Sequence, residues 1–260
     1  MANYSLLRYP GGKTRAIKIL KDFIPKDTKE ICSPFFGGGS FEIYLSQKGI
    51  KVYAYDNFYP LVCFWKSLLN NPLILHKEVK KYYPLKKEFF YELQKNISKL
   101  NSDIEVGACY YVLNRCSFSG TGLSGGMSPN HPRFTQKQIE NIINFKDSFN
   151  INKLSFEDSI PKHDCLVYAD PPYLINQCLY GKKGSMHKGF NHIKLSEILN
   201  ERGNFILSYN NSNEIKDMYK DHVFIYPNWS YGMSKNKKSK EILIISKDLK
   251  DLIPTQLKMF

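Results

Sequence analysis

The sequence lacks the patterns of a metal-binding, disulfide-bonded or membrane-spanning protein. Its six cysteines include no C-x-x-C pair, and no group of cysteines and histidines has the spacing of zinc ligands. No apolar run reaches the roughly 18 residues that cross a bilayer, and the stretch MANYSLLRYPGGK does not resemble a secretory signal. We therefore expect a soluble, cytoplasmic protein with reduced cysteines, no membrane contact and no metal site.

Acidic residues are scarce relative to basic ones. The chain has 37 lysines and arginines against 24 aspartates and glutamates, which leaves a net charge of +13. Such an excess favours a polyanionic partner such as nucleic acid, because lysine and arginine set against phosphates release condensed counterions. A basic, lysine-rich proteome would give the same excess without any such partner. Charge alone does not decide between the two.

The hydrophobic pattern predicts one α/β sheet that is interrupted by helices. Residues 30–56 have the pattern of a strand, a glycine turn, a helix and a second strand, which is one βαβ unit. Such units build a parallel sheet with helices on both faces. Helical periodicity dominates residues 59–149, and strand patterns then return at INKLSF, DCLVYA, NFILSY, HVFIYP and EILIIS. We predict one α/β domain from residues 1–58 and 150–260, with a mostly helical insertion at 59–149.

The glycine turn PFFGGGSF lies between the first strand and its helix. A dinucleotide-binding fingerprint would need a third glycine where the chain has Glu42. A P-loop reading of GGKT would need glycine where the chain has Leu7. A glycine turn still lets a ligand approach the backbone near a helix N-terminus. Asp56 ends the next strand, where doubly wound folds place an acid that binds ribose hydroxyls, so together they indicate a nucleoside-containing cofactor.

The motif DPPY, Asp170 to Tyr173, follows an apolar strand pattern. Two prolines could simply end the strand, but a catalytic role explains all four residues. The exocyclic amine of adenine is a poor nucleophile, and the Asp170 carboxylate with the Pro171 carbonyl could hold its two hydrogens and stabilise the positive charge that grows during attack. Proline fixes φ and so holds that carbonyl still. Tyr173 offers a face on which a base can stack. We predict catalytic roles for Asp170, Pro171, Pro172 and Tyr173.

In the order of its motifs, the chain resembles the Dam-like, alpha-group DNA adenine-N6 methyltransferases, which use S-adenosylmethionine. The resemblance covers nearly the whole length, through RYPGGK, SPFFGGGSF, YDN, an insertion, DPPY and KSKEILII. It implies a Rossmann-like methyltransferase sheet with an inserted, mostly helical target-recognition domain. The sheet domain would bind the cofactor and catalyse, and the insertion would recognise DNA.

The resemblance also implies roles for individual residues. The implied cofactor contacts are Tyr9, Lys13, Pro34, Phe35, Gly37, Gly39, Asp56, Asp158 and Asp170. The chain departs from the family pattern at Ser33, where many relatives carry an acid that would contact the cofactor's ammonium group. No metal is expected to take part, because the sulfonium already activates the methyl group and alignment provides most of the catalysis.

The expected substrate is double-stranded DNA, from which the target adenine must be rotated into a pocket. The stretch YYVLNRCSFSG resembles the family's recognition segment, but the residues after it do not follow Dam itself, so the target sequence is not inherited. We predict DNA contacts from Asn114, Arg115, His131, Arg133, Lys182, Lys183 and Lys188. If the gene belongs to a restriction-modification pair, a second partner is an endonuclease that acts on the same site.

Two other functions suit the same motifs. The acceptor could be an RNA base or a protein glutamine, although the glutamine enzymes of this fold usually carry Asn at the position of Asp170 and lack a recognition insertion. The chain could also be a DNA-binding protein that has kept the scaffold without catalysis.

Overall fold

The computed structural model describes residues 4–128, 133–174, 189–227 and 241–252. Within these ranges the chain forms a seven-stranded sheet in the order β3-β2-β1-β4-β5-β7-β6. The strands are β1 (Glu30–Ser33), β2 (Lys51–Asp56), β3 (Asn150–Lys153), β4 (Leu166–Ala169), β5 (Phe205–Asn210), β6 (Val223–Ile225) and β7 (Glu241–Ile245). Each of them lies in a stretch for which the apolar pattern predicted a strand, and the Rossmann-like fold class is confirmed.

The sheet is parallel except at β7. Strands β1 to β5 pair in parallel, whereas β7 runs antiparallel to both β5 and β6. The βαβ pattern at residues 30–56 predicted a parallel sheet and gave no sign of the reversal at β7. The reason is physical: Glu241–Ile245 is buried along its whole length, and a continuous apolar run carries no information about strand direction.

Helices cover both faces of the sheet and fill the segment between β2 and β3. Neighbouring β1 residues belong to different apolar clusters, since Ile31 packs on one face and Cys32 on the other. The α-helices are α1 (Ile17–Leu20), α2 (Ser40–Gln47), α3 (Tyr59–Asn70), α4 (Pro72–Lys80), α5 (Lys87–Asn96), α6 (Asp103–Cys116), α7 (Gln136–Glu140), α8 (Phe156–Ser159), α9 (His192–Arg202) and α10 (Asn213–Met218).

The helical segment shares its core with the sheet. Trp65 of α3 and Tyr111 of α6 belong to the same buried cluster as Ile31 and Ala54 of the sheet. Helices α3 and α6 approach closely because α6 has Gly107, where an added Cβ would lie 2.8 Å from the main-chain nitrogen of Phe64. A division into two domains at residues 59 and 149 therefore remains a prediction.

The order of the strands indicates at which edge of the sheet a ligand would bind. From β1 the chain continues to β2 and β3 on one side, whereas β4, β5 and the remaining strands lie on the other. Ligands of doubly wound sheets bind at such a reversal, beyond the carboxyl ends of the strands. The glycine turn after β1, Asp56 at the end of β2 and Asp170 after β4 all lie at this edge. No helix in the described ranges is long and apolar enough to cross a membrane.

Candidate active site

A cavity of about 1200 Å³ opens at the carboxyl edge of the sheet. Four segments provide most of its wall: residues 8–15 near the N-terminus, the glycine turn 34–42, residues 118–126 after α6, and the motif 170–173. Pockets for a single small ligand usually measure about 300–1,000 Å³. The cavity therefore has room for a nucleoside-sized ligand and a second planar group beside it.

The glycine turn packs directly against Tyr9. Gly37 has a φ of +50°, and a Cβ there would lie 2.8 Å from Cε1 of Tyr9, while a Cβ on Gly38 would lie 2.7 Å from Cβ of the same residue. A residue with a side chain could not take either place without moving the tyrosine. The structure thus brings together three of the residues assigned to the cofactor, Tyr9, Gly37 and Gly39, and all three line the cavity with Pro34.

Asp56 holds the glycine turn in place from the end of β2. Its Oδ2 accepts a hydrogen bond from the main-chain N–H of Gly37 at 2.9 Å, and its Oδ1 accepts one from Phe58 at 2.9 Å. Burial raises the pKa of Asp56 to about 6, although these main-chain hydrogen bonds act in the opposite direction. The carboxylate is buried but still lines the cavity, as a residue that binds ribose hydroxyls would have to.

Asp170 forms an ion pair with Lys13 at the centre of the cavity wall. The Lys13 ammonium lies 2.8 Å from both carboxylate oxygens of Asp170 and 3.7 Å from Oε1 of Glu241. Lys13 is 4% exposed and the Asp170 side chain 23% exposed. Burial opposes the charge of Lys13, but the two carboxylates raise its pKa above the ordinary value. Lys13, implied by the resemblance to contact the cofactor, lines the cavity and contacts the predicted catalytic acid.

The hydroxyl of Tyr173 joins the same network. It accepts a hydrogen bond from Lys13 at 2.9 Å, lies 3.1 Å from Oδ1 of Asp170 and forms a short hydrogen bond with Glu241. Burial, followed by the two carboxylates, raises the pKa of Tyr173 well above its ordinary value, so the phenol stays neutral. Its ring stacks on Tyr209 with centroids 5.8 Å apart. Tyr173 is anchored at its hydroxyl, and Pro171 and Pro172 line the cavity beside it.

A second carboxylate lines the cavity beyond Asp170. Glu42, in the first turn of α2, is 4% exposed, and its Oε1 accepts a hydrogen bond of 2.8 Å from the hydroxyl of Ser33. Burial raises the pKa of Glu42 from its ordinary 4.5 to about 7. The sequence analysis used Glu42 only to reject a dinucleotide fingerprint. Its contact with Ser33 becomes visible only when β1 and α2 are packed together.

Three aromatic rings form an apolar wall on the side of β3 and α9. The centroid distances are 5.7 Å between Phe35 and Phe156, 5.5 Å between Phe35 and Phe190, and 5.3 Å between Phe156 and Phe190. Sequence reasoning proposed only Phe35. It also proposed Asp158, which is exposed and hydrogen-bonded to Ser155 at 2.8 Å. In that segment the residues that line the cavity are Ser155, Phe156 and Glu157.

Arginines gather at the mouth of the cavity. Arg133 is exposed and Arg8 is half-buried, and both line the cavity. Arg115 lies behind them, and its Nε donates to the main-chain oxygen of Arg133 at 2.8 Å. Burial, followed by the charges of Arg133 and Arg115, lowers the pKa of Arg8 to about 10. Among the described residues, none of the three forms a salt bridge, so the cluster offers unneutralised positive charge.

Asn114 and Arg115, for which the sequence predicted DNA contacts, are both buried in this structure. Asn114 is fully buried, and its amide accepts from the main-chain nitrogen of Arg8 at 2.9 Å and donates to the main-chain oxygens of Arg8 and Gly120 at 2.8 and 2.9 Å. Arg115 is 7% exposed. Arg115 donates from Nε and Nη1 to the main-chain oxygens of Arg133 and Leu6. In this structure the two side chains therefore hold Arg8 and Arg133, and their contact with DNA remains a prediction.

Several predicted residues lie outside the described ranges: His131, Lys182, Lys183 and Lys188. Within the described ranges, no group of three or more histidines, cysteines, aspartates and glutamates is arranged to hold a metal ion. The five cysteines found there are all free thiols.

Comparison with known proteins gives one family and two curated relatives. Residues 9–233 match the model of the D12 class N6 adenine-specific DNA methyltransferases. The chain is 22% identical to the type II methyltransferase M.CviBI of Paramecium bursaria Chlorella virus NC1A, over 84% of this chain and 87% of that protein. It is 26% identical to the type II methyltransferase M.MjaIII of Methanocaldococcus jannaschii, over 64% of this chain and 68% of the relative.

The raised pKa of Glu42 predicts how the stability of the ligand-free protein depends on pH. In the unfolded chain this carboxyl ionises near its ordinary pKa of 4.5, and in the folded chain near 7. Between these values the folded state binds more protons, so wild-type stability falls as pH rises, and the loss is complete above about pH 7. Glutamine does not titrate. We expect Glu42→Gln to gain roughly 2–3 kcal/mol in free energy of unfolding relative to wild type between pH 5 and pH 8.

Denaturant unfolding of both proteins without any ligand at pH 5, 6, 7 and 8 measures this difference. The value at pH 5, where the folded-state carboxyl is still protonated, serves as the internal reference. A difference between the two proteins that does not change with pH would contradict the buried, weakly compensated carboxylate that the structure shows.

Proposed function

The chain belongs to the D12 class N6 adenine-specific DNA methyltransferase family, and from this premise we propose that its cavity binds S-adenosylmethionine beside an adenine rotated out of duplex DNA. Membership makes the protein an enzyme that methylates the N6 amine of adenine in DNA. It also decides against the alternatives of an RNA base or protein glutamine as acceptor, and of a scaffold without catalysis. The observation that carries the proposal is the ion-paired Asp170 in a cavity that also contains the glycine turn and Asp56.

The lining of the cavity suits each part of the methyl donor. Asp56 provides a carboxylate for ribose hydroxyls. The wall of Phe35, Phe156 and Phe190 provides apolar surface for an adenine ring. Tyr168 lines the cavity near Asp170. Its buried hydroxyl has no hydrogen-bond partner among the described residues. When bound, the donor supplies a methyl group that its sulfonium has already activated.

Asp170 is the residue that acts on the acceptor. Its carboxylate, together with the main-chain carbonyl of Pro171, accepts the two hydrogens of the exocyclic amine and stabilises positive charge as it develops on N6. Lys13 supports this role because an ammonium 2.8 Å from both oxygens fixes the orientation of the carboxylate. Tyr173 holds Lys13 and Asp170 together through its hydroxyl. Lys13 and Tyr173 thus position the acid.

The arginine cluster is the proposed entry side for DNA. Rotating an adenine out of the duplex costs a few kcal/mol, and phosphate contacts near the cavity mouth can offset this cost. Arg8 and Arg133 line that mouth, and their mutual repulsion favours an anion between or above them. The residues of the sequence analysis that lie outside the described ranges remain candidates for the same surface.

Replacement of Asp170 tests the proposed function. We expect Asp170→Ala and Asp170→Asn to lower the rate of transfer of tritiated methyl groups to adenine more than about 100-fold, because each removes the charge that stabilises the amine in the transition state. Binding of S-adenosylhomocysteine should stay within about threefold of wild type, a ratio worth less than about 1 kcal/mol. The acceptor is genomic DNA from a host without adenine methylation, and mass spectrometry identifies the product as N6-methyladenine.

The matched control is Asp164→Ala, which removes an exposed carboxylate at the opposite end of β4. It should leave the methylation rate unchanged. Because removal of Asp170 leaves a buried lysine with a weaker partner, thermal unfolding of each variant accompanies the assay. Undiminished methylation by a folded Asp170→Asn protein, or label found only in added RNA or protein, would overturn the proposal.

The arginine cluster predicts a specific change in salt dependence. Each phosphate that a side chain neutralises contributes about 0.9 to the slope of log K against log salt. We expect Arg133→Ala to weaken binding to a duplex of mixed sequence and to reduce the magnitude of this slope by about 1. Fluorescence anisotropy at a series of salt concentrations measures both quantities. Lys220→Ala, which removes an exposed lysine beyond α10 that does not line the cavity, should leave the slope unchanged; equal slopes for all three proteins would refute DNA contact at the mouth.

A further inference from the structure

Carboxylates dominate the buried part of the cavity, although the chain as a whole is strongly basic. Among the described residues, the buried charged groups that line it are Glu42, Asp56, Glu241 and Lys13. Asp170, 23% exposed, adds a fourth carboxylate. One ammonium therefore faces four carboxylates in a protein with a net charge of +13. Such a surplus of buried negative charge destabilises the folded protein unless a cation binds beside it.

Glu42 is the carboxylate with the least compensation. Asp170 and Glu241 have Lys13 within 2.8 and 3.7 Å, and Asp56 accepts main-chain hydrogen bonds from Gly37 and Phe58. Within the described part of the chain, Glu42 accepts hydrogen bonds from the hydroxyl of Ser33 and from its own main-chain N–H, and it has no salt-bridge partner. The charged groups that act on Glu42 are Asp170, which opposes its ionisation, and Lys13, which favours it. Burial outweighs this help and raises its pKa to about 7.

We propose that Glu42, held by the hydroxyl of Ser33, binds the α-ammonium group of the donor's methionine part. This inference rests on the proposed function, in which the cavity binds S-adenosylmethionine. The donor has two positive groups, the sulfonium and the ammonium. The ammonium is the better partner for Glu42 because it brings N–H donors to a desolvated carboxylate, whereas a sulfonium has none.

The position of Ser33 supports the assignment. Ser33 is the last residue of β1, at the position where many members of the family that the chain resembles carry an acid. The structure shows a carboxylate there after all, since Glu42 of α2 reaches to within 2.8 Å of the Ser33 hydroxyl. Ser33 is then a positioning residue, 1% exposed and behind the cavity wall.

Three ligands distinguish the contribution of the ammonium group to binding from that of the rest of the donor. S-adenosylmethionine has both cations, S-adenosylhomocysteine keeps the ammonium but is neutral at sulfur, and 5′-methylthioadenosine lacks the amino-acid part. We expect Glu42→Gln to weaken the first two by a similar factor of about 10 or more, as suits the loss of a charge-assisted hydrogen bond. The affinity for 5′-methylthioadenosine should stay within twofold. Isothermal titration calorimetry without DNA gives all six dissociation constants.

The matched control is Glu214→Gln, which makes the same substitution at an exposed position of α10 that does not line the cavity and should change each affinity less than twofold. Retained binding of 5′-methylthioadenosine shows that the variant is folded. Unchanged binding of S-adenosylhomocysteine by Glu42→Gln would overturn the inference, as would an equal loss for 5′-methylthioadenosine or a loss confined to S-adenosylmethionine. If wild type bound none of the three ligands, the proposed function itself would fail. That outcome differs from failure of the Glu42 inference alone, in which wild type still binds the ligands.

Discussion

The ion pair between Lys13 and Asp170 is the interaction on which the arrangement of the site depends. The two residues lie 157 positions apart in the chain, and their contact ties the N-terminal segment to the end of β4. A buried ammonium without a partner would cost several kcal/mol, so Lys13 can take this place only when Asp170 and Glu241 are there to receive it. The same contact fixes Tyr9 over the glycine turn, because Tyr9 and Lys13 belong to one short segment. The glycine turn, Asp170 and the N-terminal segment are therefore held together by the same set of contacts.

The protein separates its charges according to the chemistry of its ligands. Arg8 and Arg133 line the mouth with Arg115 behind them, and among the described residues none of the three has a carboxylate partner, so their charge suits a phosphate backbone. Its buried carboxylates lie inside, where a ligand with a sulfonium and an ammonium would bind. Burial of the ionised Glu42 side chain destabilises the ligand-free folded state. Removal of its charge is therefore expected to raise the free energy of unfolding while it lowers the affinity for the ligand.

Much of this site follows from the sequence, and the part that does not has an identifiable physical reason. The strands could be predicted because each is a short apolar run next to a turn, and DPPY could be placed at a strand end for the same reason. Glu42 could not, because its partner Ser33 lies on another element and burial is invisible in sequence. Phe156 and Phe190 resemble ordinary core aromatics until the sheet brings them to Phe35. Asn114 has a side chain typical of base contacts, and only its complete burial shows that it holds Arg8.

The most direct test of this account is the single-turnover rate of methyl transfer by Lys13→Met at saturating DNA and increasing S-adenosylmethionine. If Lys13 acts by orienting Asp170, the rate stays well below that of wild type, by about 10-fold or more, even when the donor is saturating. If Lys13 served only to bind the donor, a sufficient donor concentration would restore the full wild-type rate. That recovery would contradict the central role of the ion pair.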